Sequence, residues 1–355
     1  MNARAHLVLG WVVLALSLSG CSDPDSDSDS GEPTDVATEV RTRIDGAVAE
    51  GFSGSILITA GDERLATEAH GLADRESNTP NTVATAFDVG SILKTFTATA
   101  IFKLSEDGAL ALDATLDSVF PDVPADKADI TLLELVQHSA GFDEYHDTTG
   151  DFEAMTRLEA REHIFAQELL FPPGTDEAYS NSGYTLLADV IETVSGEPYV
   201  DFVRHALFEP SGMSSSGFYS EPVWENVDTA IGYDASTFGD NDPATWPYTW
   251  ALVGNGGLVT TVGDLDRWLD ALFGGSVVNA DTLELMQDEY FSAGAATVGG
   301  ETVYGEAGAG DFGLGGVSVY APGPNVRVLV TTNTYEVFDI EEFALDMALL
   351  LLDAE

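Results

Sequence analysis

The sequence predicts an α+β fold: one antiparallel sheet formed by the N- and C-terminal segments, flanked by helices, with a mostly helical region inserted at about 120–275. Two observations carry this. Strand-like apolar runs stand near both ends, at Ser53 to Ala60 and Leu65 to Gly71, and again at Gly315 to Tyr320 and Val326 to Thr332. Between them, from Pro121 to about Gly275, the apolar spacing is mostly helical with long loops, and no internal repeat appears. Strands at both ends bury their apolar faces together most simply in a shared sheet.

The N-terminus reads as an address. Arg4 precedes an apolar run from Leu7 to Leu16 and a small-residue stretch, Ser17-Leu18-Ser19-Gly20, before Cys21. The run is shorter than the roughly 20 apolar residues that span a bilayer, and its order is that of a secretory signal over residues 1–20. Leu18-Ser19-Gly20-Cys21 also resembles the bacterial lipobox, whose cysteine is lipidated. Cys21 is the only cysteine in the chain, which excludes internal disulfides and leaves its thiol for an acyl anchor; ordinary cleavage beside an incidental cysteine is the alternative. The expectation is an exported, membrane-anchored lipoprotein. Residues 21–39 form an acidic, flexible spacer. Its alternating aspartates from Asp25 lack the glycine and the closing glutamate of a calcium loop. The folded domain then covers 40–355.

Within that domain, Gly61-Asp62-Glu63-Arg64 joins the first two apolar runs as a hairpin. A helix is predicted from Ser91 to about Glu106, ending at Asp107-Gly108. Further helical segments are Thr131–His138, Glu159–Leu170, Tyr184–Val194 and Asp264–Leu272, the last with Thr261 at a capping spacing. Ala321-Pro322-Gly323-Pro324 turns between the last two strands, and Asp339 opens a terminal helix through Leu352.

Charge limits the function. The 355 residues carry 61 acidic against 13 basic side chains, a net charge of −48, with lysine only at 94, 103 and 127. Such a surface repels phosphate backbones, so no nucleic-acid partner is expected. The acidity runs along the whole chain as a solvated shell, a pattern that suits high salt, where self-repulsion is screened.

Two short motifs could carry chemistry. Ser91-Ile92-Leu93-Lys94 places a hydroxyl and an amine three residues apart, on one helix face. At a helix start, the Ser91 N–H is among the unpaired donors able to receive an oxyanion. A serine hydroxyl attacks only when a base takes its proton, and lysine can do so only if burial lowers its pKa. The alternative is a helix cap beside a surface lysine. In Tyr179-Ser180-Asn181, an extended backbone points Tyr179 and Asn181 the same way; Asn181 or Ser182 could equally cap the next helix.

Four stretches together give the chain a resemblance to the serine β-lactamase and penicillin-binding-protein superfamily, in the branch of class C β-lactamases, D-aminopeptidases and related esterases. They are Phe87 to Thr97, Ile130 to Phe142, Pro173 to Tyr184, and Gly256 to Leu265, in the family's order. The class A partners S-D-N and K-T-G are missing, and Tyr-x-Asn stands in place of S-D-N. The resemblance implies Ser91 as acylated nucleophile, Lys94 as its buried amine partner, Tyr179 as proton shuttle, and Asn181 as the residue that positions substrate and Lys94. The backbone N–H groups of Ser91 and Ala309 would form the oxyanion hole. Small molecules or peptides are the implied substrates, the lipid anchor at Cys21 the membrane contact, and no metal or other cofactor is implied.

One family element departs from its pattern. Where relatives carry Lys or His followed by x-Gly, the matching stretch here is Glu306-Ala307-Gly308, which puts Glu306 and Gly308 against substrate; a gap-shifted alignment, the alternative, leaves Glu306 outside the pocket. Like charges near 4 Å cost about 1–4 kcal/mol between the dielectric limits of water and protein surface, so Glu306 disfavours a substrate carboxylate. The expected activity is therefore on esters or amides without an essential carboxylate. A D,D-peptidase or β-lactamase, or a catalytically silent binding protein, are the alternatives.

Other signals fall away. Gly308-x-Gly310-x-x-Gly313 leads into a strand with no following helix, so it is no dinucleotide fingerprint. His138, Asp143, Glu144 and His146 match no helical metal-ligand spacing, and the resemblance places His138 in the family's H-x-S-G-like turn, which implies a structural role. Trp246, Tyr248 and Trp250 suit a cleft wall or the core equally.

Overall fold

A computed structural model describes residues 35–145, 150–233 and 241–354. The expected signal peptide, Cys21 and most of the acidic spacer lie outside the described residues, as does His146. The chain opens with α1 (Val36–Ala49), then β1 (Gly54–Ala60), β2 (Glu63–His70), the short β3 (Leu72–Asp74), β4 (Thr79–Pro80) and β5 (Phe87–Asp88). A 3-10 turn at Gly90–Ile92 leads into α2 (Leu93–Glu106). The inserted region carries α3 (Leu116–Val119), α4 (Leu132–Val136), α5 (Arg157–Ala166), α6 (Asn181–Ser195), α7 (Tyr199–Val203), α8 (Glu209–Ser211), β6 (Val259–Thr260) and α9 (Val262–Phe273). Then come α10 (Ala280–Glu289), β7 (Ala295–Val298), β8 (Glu301–Ala309), β9 (Gly315–Ala321), β10 (Val326–Thr332) and α11 (Ile340–Asp353).

The main sheet has the order β2-β1-β10-β9-β8-β7, with every pair antiparallel. The two ends of the chain meet where β1 pairs β10, Ile56 opposite Val330 and Ile58 opposite Val328. Alternation along these strands divides the core. Ile56, Ile58, Val328 and Val330 face Val40 and Ile44 of α1 and Met347 and Leu351 of α11. Leu57 and Leu329 face the opposite way, onto α2 and the helical insertion, where Phe96 stacks on Trp268 at 4.1 Å. Both faces are covered, which is why β1 reads as a continuous apolar run.

Helix starts follow their caps. The Thr131 and Thr156 side chains each accept the N–H three residues on, and Glu134 and Glu159 return the bond, giving two full capping boxes. For α6 the cap is Ser180, whose Oγ accepts the Gly183 N–H at 3.1 Å. Neither Asn181 nor Ser182 takes that place. Helix α1 carries its apolar stripe at Val40, Ile44 and Ala47 and extends back to Val36.

Candidate active site

The site forms where the start of α2 meets the end of β8. Phe87 and Asp88 pair with β6, and the Val89 N–H donates to Leu258 O at 2.9 Å, which fixes the approach to the helix. Asp88 is buried; it accepts the Gly90 N–H at 2.9 Å and the Tyr219 hydroxyl at 2.7 Å. Gly90 has φ +51, and a Cβ there would stand 2.2 Å from Ala309 O. Only glycine lets the backbone turn left-handed while touching β8.

Ser91 follows in the first turn. Its Oγ lies 2.6 Å from the Tyr179 hydroxyl and 3.1 Å from Lys94 Nζ. Lys94, 4% exposed, donates a second bond to Asn255 O at 2.7 Å, and its ammonium position lies 4.8 Å from the centre of the Tyr179 ring. Burial pulls its pKa down to about 7 against the opposing pull of Glu144 and Asp151. A surface lysine beside a helix cap is thereby excluded. Burial also pushes the Tyr179 phenol well up, so it keeps its proton at neutral pH.

The last residues of β8 close the other side. A Cβ on Gly308 would fall 2.0 Å from Val89 O and 2.6 Å from Ser91 N, so strand and helix start touch backbone to backbone. The Gly310 N–H bonds Leu314 O at 2.8 Å, and residues alternate along an antiparallel ladder, so the Ala309 N–H and C=O point away from β9 and toward Gly90. The N–H groups of Ser91 and Ala309 thus belong to abutting segments on one side. A Gly308→Ala substitution forces them apart; it should destabilise the protein by about 1–3 kcal/mol, as overpacking does, and slow labelling of Ser91. A thermal melt and a labelling time course check both.

Glu306 stands two residues before Gly308, on the same face of β8. Its carboxyl accepts hydrogen bonds from the Thr95 hydroxyl and, at 3.1 Å, from the Tyr290 hydroxyl. Burial raises its pKa to about 7. The strand therefore presents an inward-bonded carboxyl where the resemblance expects a cation.

Asn181 does not reach Lys94, the second part of its implied role. It opens α6 and donates its N–H to Glu144 Oε1 at 3.2 Å, but its side chain makes no hydrogen bond to Lys94 among the described residues. The carbonyl of Asn255 holds Lys94 instead, and the Asn255 amide is anchored on Thr185 Oγ1 at 2.8 Å and Ala251 O at 3.1 Å. Asn255, Thr95 and Tyr290 are site residues that no sequence motif singled out. The glycine-dense Gly254-Asn255-Gly256-Gly257 was the available signal for the first; contacts from Tyr290 and Thr95 to β8 are tertiary and leave no local signature. Trp246 packs against Tyr219 at 5.1 Å and Phe312 at 5.1 Å, and Tyr248 against Phe218 at 5.0 Å, which is core packing. No group of three or more His, Cys, Asp or Glu side chains suited to a metal occurs among the described residues.

A family model described as Beta-lactamase matches residues 40–340. The putative penicillin-binding protein PbpX of Bacillus subtilis (strain 168) is 30% identical over 257 residues, 72% of this chain and 62% of that protein. A D-aminopeptidase of Gluconobacter oxydans (strain 621H) is 26% identical over 229 residues, 61% of this chain and 42% of that protein. The chain thus spans less than two thirds of either relative. Among solved structures, the octameric penicillin-binding protein homologue from Pyrococcus abyssi superposes with a TM-score of 0.76 at 27% identity, covering 88% of this chain and 77% of that one.

Proposed function

Since the chain belongs to the beta-lactamase family of serine hydrolases, we propose that it cleaves esters or amides lacking an essential carboxylate, through an acyl-enzyme on Ser91. One observation carries the reading: the Ser91 hydroxyl sits between a buried amine and a buried phenol, each within hydrogen-bond reach.

Uncharged Lys94 takes the Ser91 proton as Oγ attacks the substrate carbonyl. The developing oxyanion receives the N–H groups of Ser91 and Ala309. Tyr179 gives its proton to the departing oxygen or nitrogen and regains one from the Lys94 ammonium. Water then enters, the same groups run in reverse, and Ser91 is released. Asn181, whose side chain is unbonded among the described residues, is available to the substrate. Glu306 provides no counter-ion for a substrate carboxylate, which supports neutral or amine-bearing substrates over β-lactams. Similarity to a protein named as penicillin-binding favours a second reading, a D,D-peptidase or β-lactamase. The lipobox-like run ending at Cys21 supports a further proposal, that the domain works outside the cytoplasm on a lipid tether.

The test is exposure to a fluorophosphonate and a short p-nitrophenyl ester, with the adduct mapped by peptide mass. Ester turnover with a single adduct on Ser91 and slow nitrocefin hydrolysis is expected. Rapid nitrocefin hydrolysis establishes the second reading, and an adduct elsewhere or no turnover overturns the first.

A further inference from the structure

His138, which no step above uses, stands directly behind the phenol that faces Ser91. Its main-chain carbonyl accepts the Ala178 N–H at 3.0 Å. Its ring Nδ1 accepts the Ser180 N–H at 3.1 Å. One residue therefore holds the backbone on both sides of Tyr179. The same ring packs on the Tyr179 ring at 4.7 Å and on the Tyr184 ring at 4.9 Å, and the Tyr184 hydroxyl is itself tied to Val136 O at 2.9 Å.

The backbone at His138 has a cost. Its φ is +57, in the left-handed region that side-chain-bearing residues seldom occupy. Strain of this kind persists only where the surroundings demand it, and it clusters at functional sites. Here the left-handed turn is what lets one residue aim its carbonyl and its ring at the same strand. The ring must also be uncharged for Nδ1 to accept a hydrogen bond. Burial, reinforced by nearby Lys94, lowers its pKa to about 3, so this condition holds at neutral pH.

We propose that His138 is a positioning residue that clamps the main chain on both sides of Tyr179 and so sets the aim of its hydroxyl at Ser91. The proposal rests on the reading of Tyr179 as the proton carrier to the leaving group. It follows that damage at His138 appears most where that proton is most needed: with alkyl esters and amides, whose leaving groups depart poorly, and least with p-nitrophenyl esters, whose phenolate leaves unaided.

Three variants test it by single-turnover acylation rate, with thermal melts to monitor folding. His138→Ala should slow an alkyl ester by roughly ten- to a hundred-fold, since misplacement by about 1 Å costs about 10²-fold, while a p-nitrophenyl ester slows far less. His138→Asn places its Oδ1 where Nδ1 stood and tolerates the left-handed backbone; it should recover most of the alkyl-ester rate. Equal losses for the two substrates, or an Asn variant as slow as the Ala variant while still folded, overturn the clamp. Tyr179→Phe separates the two claims. If it slows the alkyl ester and His138→Ala does not, only the clamp fails. If it leaves that rate intact, the reading of Tyr179 fails and the clamp falls with it.

Discussion

Replacing Lys94 by alanine should slow acylation of Ser91 by about 10²–10⁴-fold, the usual worth of a positioned proton acceptor. Lys94 Nζ is the one amine bonded to Ser91 Oγ among the described residues, and the Lys94 side chain is buried. Lys94→Arg should be no better, because a guanidinium stays protonated and cannot accept the serine proton. The wild-type pH profile gives the independent check. The uncharged amine is the active form, and burial lowers its pKa to about 7. The acylation rate should therefore be flat above that value and fall about tenfold per pH unit below it. The acidic surface works against this poise, since every nearby carboxylate favours the ammonium, Glu144 and Asp151 most. Burial dominates because desolvation acts directly on the amine, whereas exposed charges are screened. A profile flat down to pH 5 would remove Lys94 from the role of base.

Most of the fold was legible because its signals are local. The hairpin, the last two strands, the Thr261 cap and the terminal helix each follow from a few neighbouring residues, and the structure has all of them. The missing pieces failed for identifiable reasons. Residues 295–309 contain six residues that strands disfavour or leave unpacked: Gly299, Gly300, Gly305, Gly308 and the charged Glu301 and Glu306. Their strand character comes from pairing with β9 and from contact with α2, neither visible in sequence. Helix α10 has Met286 as its one fully buried residue, too little for a periodic stripe. At the site, the Ser91–Lys94 spacing is visible in the sequence, while the role of Tyr179 follows only from the resemblance carried by the stretches around it. The residue that holds Lys94 is not visible, because Asn255 does so through its carbonyl, a group every residue has.

Tyr179→Phe should have an effect of similar size, about 10²–10⁴-fold on acylation, and a different signature. The substitution removes one oxygen. The ring that packs on His138 and lies 4.8 Å from Lys94 Nζ is kept, so folding and the environment of the amine are preserved. What disappears is the hydroxyl 2.6 Å from Ser91 Oγ. Burial pushes the phenol's pKa upward, so it holds its proton through the neutral range and acts as a donor and relay, with Lys94 as the group that titrates. Two consequences follow. The loss should grow as the leaving group becomes poorer, and the acid limb of the pH profile should stay near 7, because Lys94 is untouched. A Phe variant that loses the acid limb altogether would make the phenol the titrating base and transfer to it the role assigned to Lys94.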